Sequence, residues 1–584
     1  MQKGAMFLLE SVDPNQIFTP EDFTDEHRMI ADTVADFAQN EIQPRIEELD
    51  AQKEGLMRSM LEKAGELGLL GADIPEEYGG DEMGKIASAI ITENVSLGGS
   101  FAVSHGAHTG IGSLPIILFG NEEQKKKYLP GLATGKLVAA YALTEPMAGS
   151  DALSARTKAV LSEDGKYYIL NGEKIFITNA GFADVFVTYA KVDGDKFTAF
   201  IVDRDTPGFS VGAEEKKLGI KGSSTCSLIF EDAKVPVENV LGEIGKGHVI
   251  AFNILNIGRY KLGVGGVGSS KGALAVAANY AMQRQQFGLP IAKFGMIKNK
   301  IAQMAAKIYA SESLVYRLVG EIEEALEGKT DGKEIGAAIE DYAIECSIAK
   351  VHASETLDYV VDETLQIHGG YGYTQEYPVE RFYRDARINR IFEGTNEVNR
   401  LIIPGTLLRR GMKGQLPLLQ AAQALADELT SLRAKMPTGD EAPLEIEFDM
   451  LDRAKKMFLM IGGTAAQKYM QKIAKEQEII EILANMAIEI YAMESALLRA
   501  KKALNNDAEN AETKVELALA YVYDSFPKLE MWGKQALAYM FEGGEMLRTN
   551  LSVLKRLGKF QPVNLIGIRQ KIAGKVLEAG KYVV

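Results

Sequence analysis

The sequence is poor in the residues that build disulfide frameworks and metal sites. Its 584 residues include two cysteines, Cys226 and Cys346, and six histidines. Neither set falls at the spacing of a disulfide scaffold or of a zinc site. Two isolated cysteines are typical of a protein from a reducing compartment. We therefore expect no disulfide and no bound metal.

Positive charge and long apolar runs are also scarce. Sixty-five Lys and Arg face 80 Asp and Glu, which gives a formal net charge of -15 at pH 7. Phosphate backbones require a basic footprint, so we expect no nucleic-acid partner. No run of about 18 apolar residues predicts a membrane-spanning helix, and residues 1–16 lack the features of a signal peptide. The expected location is the cytoplasm.

Changes in residue pattern divide the chain into four regions. Helical spacing of apolar residues in 20–138 predicts an N-terminal helical domain. In 139–245, short β-branched and aromatic runs alternate with Gly and Asp turns, which predicts a middle β domain. Helical periodicity returns in 246–411 and again in 412–584. The predicted fold is mainly α with a central β domain and an appended C-terminal helical domain.

Several elements are specific enough to be tested one by one. The predicted helices are Asp25–Glu48, Gly55–Leu69, Lys85–Leu97, Phe252–Arg284, Leu418–Lys435, Ile446–Lys475, Gln477–Leu504 and Glu512–Leu554. The predicted strands are Lys166–Leu170, Asp184–Lys191, Phe197–Val202 and Ser227–Glu231, with hairpin turns at Asp164-Gly165 and Asp193-Gly194. Four glycines between 263 and 268 loosely imitate a dinucleotide fingerprint, but no strand precedes them, so they predict close helix packing.

Four stretches carry residues typical of a ligand site. The loop 141–151 is rich in small and hydroxyl residues, and 176–181 places an aromatic two residues before a hydroxyl. Arg284, at a predicted helix end, suits a pyrophosphate because its guanidinium forms bidentate bonds. Gly369-Gly370 permits close backbone approach. Taken singly, each stretch has an ordinary alternative: a loop, a core aromatic, a surface arginine.

Glu393 is the candidate catalytic residue. It stands between Phe392 and Gly394, an apolar side chain and an open backbone. A desolvated carboxylate has a raised pKa and is a stronger base. Without the neighbouring motifs, an ordinary solvated glutamate would be the simpler interpretation.

Together and in this order, the stretches resemble the acyl-CoA dehydrogenase family. The shared patterns are TEPxAGSD, ITN, RxxFG, QxxGGxG and EGT, and the resemblance as a whole covers roughly Asp25 to Arg410. The appended helices resemble the very-long-chain branch and its bacterial relatives. The resemblance implies an N-terminal α domain, a middle β-barrel-like domain and a four-helix bundle. It also implies FAD-dependent α,β-dehydrogenation of fatty acyl-CoA to trans-2-enoyl-CoA in β-oxidation, with electrons passed to electron-transfer flavoprotein.

The resemblance assigns roles position by position. Glu393 matches the family base, and Gly258 occupies the position at which another branch carries its base. The implied FAD contacts are Tyr141, Leu143, Thr144, Ser150, Phe176, Thr178, Arg284, Phe287, Gln366, Gly369, Gly370, Thr395 and Glu397. The implied substrate contacts are Ser150, Asn256, Arg259, Phe392 and Gly394. The family's placement of FAD at a subunit interface implies a homodimer or a larger homo-oligomer.

Two other functions stay open at this stage, together with the role of the basic tail. An acyl-CoA oxidase would share the base and the flavin but react with oxygen, and a flavoprotein scaffold would use the appended helices for assembly. The tail 551–584 carries seven basic residues against Glu578. It predicts either weak contact with anionic lipid or pairing with acidic surface elsewhere on the protein.

Overall fold

The computed structural model describes residues 3–428 and 433–584, and it is mainly helical with a central β-sheet. The N-terminal helices are α1 Asp25–Phe37, α2 Ile46–Asp50, α3 Leu56–Glu66, α4 Gly84–Val95, α5 Ser100–Gly106, α6 Leu114–Phe119 and α7 Glu122–Ala133. The predicted helix Asp25–Glu48 is interrupted: Pro44 lies in a 3-10 turn between α1 and α2. Proline has no N–H to continue an α-helix, which accounts for the break.

The middle of the chain forms one twisted sheet. Its strands are β1 Ala139–Ala142, β2 Lys158–Leu161, β3 Tyr167–Thr178, β4 Val185–Val192, β5 Lys196–Asp203, β6 Phe209–Glu214, β7 Thr225–Pro236 and β8 Val240–Leu241. They run in the order β6-β7-β3-β2-β4-β5-β8, and β1 pairs in parallel with β4. The two predicted hairpins are confirmed, because β2 pairs antiparallel with β3 and β4 with β5.

A bundle of long helices follows. It comprises α8 Gly247–Gln283, the short strands β9 Gln285–Gln286 and β10 Leu289–Pro290, α9 Gly295–Leu326, α10 Gly332–Asp341, α11 Ala343–His368, α12 Val379–Ala386 and α13 Asn396–Met412. The glycines within α8 allow close packing, as predicted. A Cβ on Gly263 would lie 3.0 Å from the Ala349 carbonyl oxygen of α11, and one on Gly268 would lie 2.1 Å from the Glu93 carbonyl oxygen of α4. These glycines lie in mid-helix, so they form no dinucleotide loop.

The C-terminal region is an additional helical layer packed on the bundle. Its helices are α14 Leu418–Glu428, α15 Glu445–Tyr469, α16 Gln477–Asn505, α17 Ala511–Met540, α18 Gly544–Leu557 and α19 Leu565–Ala579. The predicted helix Glu512–Leu554 breaks at Gly543-Gly544, whose φ angles of 134° and 83° lie outside the helical region. Part of the predicted helix Leu418–Lys435 lies outside the described residues, and 433–435 have no regular secondary structure.

Buried ion pairs connect the C-terminal helices to the rest of the protein. Arg499 of α16 is fully buried, and its guanidinium lies 2.5 Å from Glu312 of α9 and 2.7 Å from Glu21 near the N-terminus. Removing one partner of a buried ion pair is strongly destabilising, so these contacts hold the two regions together. Among the helices in the described ranges, none is long and apolar enough to cross a membrane.

Candidate active site

Glu393 lies in a tight turn between a 3-10 turn at Arg387–Arg390 and the start of α13. Its φ angle is 57°, and that of Gly394 is 81°. A glutamate in the left-handed region costs on the order of 1–3 kcal/mol unless its surroundings hold it there. The conformation of Glu393 therefore depends on the groups that bind this turn.

Three side chains hold the backbone of the turn. Arg259 of α8 donates from Nε to the Glu393 carbonyl oxygen at 3.2 Å. Lys350 of α11 donates from Nζ to the Gly394 carbonyl oxygen at 2.8 Å, and Asn399 of α13 donates to the same oxygen at 2.9 Å. Side chains from three helices thus bind the carbonyl oxygens of the turn and leave the Glu393 carboxylate unbound.

The Glu393 carboxylate occupies a space that Gly258 of α8 leaves open. A Cβ on Gly258 would lie 2.8 Å from Glu393 Oε2 and 2.9 Å from its Cδ. The residue as a whole is half-buried, but Oε2 is buried and has no hydrogen-bond partner among the described residues. Burial raises the pKa of Glu393 to about 7, although the positive charges of Arg259 and Lys350 oppose the shift. The carboxyl group is thus prepared to exchange a proton near neutral pH.

Arg259 and Lys350 supply buried positive charge beside this carboxylate. Burial lowers the pKa of Arg259, and it lowers the pKa of Lys350 to about 7, while attraction to Glu393 opposes both shifts. Asn256 accepts a hydrogen bond from Arg259 Nη1 at 2.9 Å. The two predicted substrate contacts on α8 therefore lie together at the turn. Lys350 was not predicted. The sequence signal that could have identified it is a lysine among the apolar residues of 348–351.

The sheet contributes Tyr141 of β1 to the same region. Its hydroxyl is buried without a hydrogen-bond partner among the described residues, and its ring meets that of Tyr189 edge-on at 5.5 Å. Burial raises the pKa of Tyr141 well above its usual range, with contributions from Tyr189 and from the Glu393 charge. The predicted cofactor residue Tyr141 thus lies within electrostatic reach of Glu393.

A buried ion pair shapes the loop that follows β1. Lys174 Nζ lies 2.7 Å from Glu145 Oε1 and donates to the Leu143 carbonyl oxygen at 3.3 Å. The Thr144 carbonyl oxygen accepts from the Ile175 N–H at 2.9 Å. The loop is consequently tied to β3. Glu145 and Lys174 were absent from the predicted site residues, because their pairing across 29 positions is a property of the fold.

Phe176 and Thr178 extend this surface, but the strand carrying them is not regular. The pairing of β3 with β7 shifts register between Lys174 and Ile177, and Phe176 has a φ angle of 60°. This bulge leaves the Phe176 side chain 61% exposed, while Thr178 is half-buried. Ser150 is exposed in the adjacent loop. The result is an accessible apolar and hydroxyl-bearing face beside β1.

A second group of predicted residues gathers at the far end of α8. A cavity of about 500 Å³ is lined by Arg284, Gly369, Gly370, His368 and Thr374, among others. The Arg284 guanidinium carbon also lies over the ring of Tyr371, 5.1 Å from its centroid. No heavy atom lies within 4 Å of a Cβ built on either glycine, so the backbone is open to a ligand.

The remaining predicted residues lie outside that cavity lining. Gln366 and Glu397 are exposed, and Phe287 is 93% exposed in a turn with a φ angle of 53°. Thr395 caps α13, because its hydroxyl oxygen accepts from the Val398 N–H at 3.2 Å. Contact of these four residues with a cofactor remains a prediction.

Four family models match this chain, and all four describe domains of acyl-CoA dehydrogenases. Family models for the N-terminal and middle domains of acyl-CoA dehydrogenase match residues 24–136 and 140–233. Two models described as the acyl-CoA dehydrogenase C-terminal domain match 245–408 and 453–556. These matches extend through all the regions described above, including much of the additional C-terminal layer.

Individual relatives are similar in sequence over most or all of the chain. A probable acyl-CoA dehydrogenase of Bacillus subtilis is 55% identical over 590 residues, covering 100% of this chain and 99% of the relative. The bovine mitochondrial very long-chain specific acyl-CoA dehydrogenase is 38% identical over 505 residues, covering 82% of this chain and 74% of its own. The crystal structure of a Bacillus anthracis acyl-CoA dehydrogenase complexed with FAD superposes with a TM-score of 0.98 at 55% identity, covering 100% of both chains.

Proposed function

The chain belongs to the acyl-CoA dehydrogenase family of oxidoreductases, and we propose that it uses FAD to convert fatty acyl-CoA to trans-2-enoyl-CoA with Glu393 as the catalytic base. The observation that carries this proposal is the buried Glu393 carboxylate. Its Oε2 atom has no protein partner among the described residues, and its pKa is raised to about 7. A carboxylate that only stabilised the fold would be expected to have a partner.

The surroundings of Glu393 suit removal of the weakly acidic proton next to a thioester. Burial strengthens the carboxylate as a base, while Arg259 and Lys350 keep its ionised form accessible at neutral pH. By family resemblance, the backbone N–H of Glu393 would bind the thioester oxygen. A donor of this kind stabilises developing negative charge by about 3–4 kcal/mol in other enzymes. The hydrogen bonds to the Glu393 and Gly394 carbonyl oxygens hold that backbone in place.

The chain offers surfaces that fit FAD. Gly149, Gly369 and Gly370 leave open space where a Cβ would lie, so the backbone can approach a flat ligand. Arg284 stands beside two of these glycines, and its fork suits a pyrophosphate. The exposed Phe176 and the half-buried Thr178 lie on β3, which contacts the strand of Tyr141, and together they suit a ring system. When bound, FAD would supply the acceptor for the hydride that leaves the β-carbon.

The proposed substrate is a long-chain acyl-CoA. Similarity to a very long-chain dehydrogenase and the additional C-terminal helices support a long-chain substrate in fatty-acid β-oxidation. The proposed electron acceptor is electron-transfer flavoprotein. The enzyme itself is proposed to be a cytoplasmic homodimer or larger homo-oligomer. A substrate panel from short to very long acyl-CoA, with an artificial electron acceptor, measures the chain-length preference.

Part of the positive charge of the C-terminal tail is paired with acidic residues of the protein itself. Arg569 pairs with Asp524 at 2.5 Å, and Lys575 and Lys571 pair with Glu516 at 2.8 and 3.4 Å. These contacts favour pairing with acidic residues elsewhere in the protein. The exposed side chains of Lys555, Lys559 and Lys581 remain for a weak contact with anionic lipid.

The decisive experiment compares two glutamate variants. Glu393→Gln is expected to retain FAD but to lose flavin reduction by palmitoyl-CoA by at least about a hundredfold, the lower range for general bases. Glu345→Gln is the matched control, because burial also raises the pKa of Glu345 to about 7. Unlike Glu393, however, Glu345 has a structural partner, since its Oε1 accepts a hydrogen bond from the Ala5 N–H. The control variant should reduce flavin at a normal rate. Near-normal reduction by Glu393→Gln under anaerobic stopped-flow conditions would refute the assignment.

A further inference from the structure

The Glu393 turn is connected to the C-terminal helical region through a series of polar side chains. The connection starts at Lys350, which donates to the Gly394 carbonyl oxygen at 2.8 Å. The same ammonium group donates to Asn396 Oδ1 at 2.6 Å. Both residues are fully or nearly fully buried. The position of Lys350 at the turn is therefore linked to the position of the Asn396 side chain.

The next two links are charged. Asn396 Nδ2 donates to Glu355 Oε1 at 3.1 Å. Arg400 binds both oxygens of Glu355, with Nη1 at 2.7 Å and Nη2 at 3.0 Å. Burial opposes ionisation of Glu355, but Arg400 holds its pKa below the usual value. A bidentate pair of this type fixes orientation as well as distance.

The last link crosses to the C-terminal region. The Nε of Arg400, which the bonds to Glu355 leave free, donates to Asn485 Oδ1 of α16 at 2.7 Å. The Arg400 side chain is only 16% exposed. Asn485 therefore accepts a hydrogen bond from the same guanidinium that holds Glu355 through Nη1 and Nη2. We call Asn485, Arg400, Glu355, Asn396 and Lys350 the polar relay.

We propose that the C-terminal helical region positions the catalytic base, with Asn485 as a positioning residue that acts through the polar relay. This inference rests on the proposed role of Glu393. Its physical basis is that Glu393 adopts a strained left-handed conformation, which neighbouring groups must hold. Lys350 is one of those groups, and its own partner is anchored through Arg400 to α16. The region thereby contributes to geometry at the turn without reaching it.

Other contacts between the bundle and the C-terminal region have different endpoints. Arg499 binds Glu312 inside the helical core, and Tyr309 of α9 donates to the Ala496 carbonyl oxygen of α16 at 3.3 Å. Such contacts attach the region to the bundle. The polar relay differs because it ends on the carbonyl group adjacent to the base. Loss of the Asn485 hydrogen bond should therefore affect the Glu393 turn more than loss of the bond between Tyr309 and Ala496.

The test compares Asn485→Ala with Tyr309→Phe in the full-length holoenzyme. Each variant removes one hydrogen bond between the bundle and α16. Asn485→Ala is expected to lower the limiting rate of flavin reduction by about three- to tenfold, a fraction of the effect of misplacing a base by 1 Å. The KM for palmitoyl-CoA, the FAD content and the melting temperature should match those of Tyr309→Phe. Asn485→Asp keeps an acceptor for Arg400 and should restore most of the rate.

A second measurement does not depend on turnover. Hydrogen–deuterium exchange of the peptide spanning residues 391–397 should be faster in Asn485→Ala than in Tyr309→Phe. If Asn485→Ala folds poorly, Arg400→Lys can replace it in this measurement. Lysine keeps a positive charge beside Glu355 but loses the planar fork, so the same increase in exchange is expected. Equal rates and equal exchange in Asn485→Ala and the control would overturn the proposal. An active Glu393→Gln variant would instead remove the proposed function itself.

Discussion

Gly258→Ala is the substitution that most directly tests how α8 accommodates the base. The added Cβ would lie 2.8 Å from Glu393 Oε2 and 2.9 Å from Cδ. Ordinary contacts between heavy atoms are roughly half an ångström or more longer. The carboxylate must therefore withdraw, because the helix backbone at 258 is held within the bundle. The turn that carries Glu393 is held by Arg259, Lys350 and Asn399, so movement concentrates in the side chain.

The size of the effect follows from that displacement. A misplacement of 1 Å near the reacting atoms costs about a hundredfold in rate, so half of this distance should cost about tenfold. Tenfold corresponds to about 1.4 kcal/mol of activation free energy. Helix stability should not fall for intrinsic reasons, because alanine is favoured over glycine within helices by about 1 kcal/mol. A loss of rate without a loss of folding is therefore the expected pattern.

The assay is anaerobic stopped-flow reduction of the flavin by palmitoyl-CoA. Gly265→Ala on the same helix is the matched control, because a Cβ there meets its nearest neighbours, Ser96 and Thr92, at an unstrained 4.0 Å. It should reduce at the wild-type rate. FAD content and melting temperature should be similar in both variants. Wild-type reduction in Gly258→Ala would refute the inference that this glycine provides the space for the carboxylate.

Two further predictions concern pH and lipid. Because burial raises the pKa of Glu393 to about 7 and a base acts when deprotonated, kcat/KM should be lost as pH falls through about 7, to about one-tenth of its plateau at pH 6. Lys350 titrates in the same range, so the observed midpoint belongs to the pair, and a midpoint near 4.5 would contradict the burial argument. For the tail, replacing Lys555, Lys559 and Lys581 together by glutamine should reduce co-sedimentation with anionic vesicles. An unchanged bound fraction would exclude lipid contact through these residues.

Local patterns in the sequence predicted most of the architecture. Periods of apolar residues located α8 and the C-terminal helices, and turn residues located the hairpins at Gly165 and Gly194. Two predicted helices were wrong because one or two residues interrupt a periodic stretch. Pro44 breaks the first predicted helix, and Gly543-Gly544 separates α17 from α18. Apolar periodicity continues across such positions, because packing tolerates the break although the backbone hydrogen bonds do not.

By itself the sequence determined the family, through the order of its motifs, and singled out Glu393 as the candidate base. Only the tertiary structure placed Gly258 against the Glu393 carboxylate and Lys350 on the adjoining carbonyl group. It also brought Asn485 to Arg400, 85 positions away along the chain. The physical reason is range: a motif records which groups the chemistry requires, whereas burial and hydrogen bonding between distant helices set their pKa values and hold them in place.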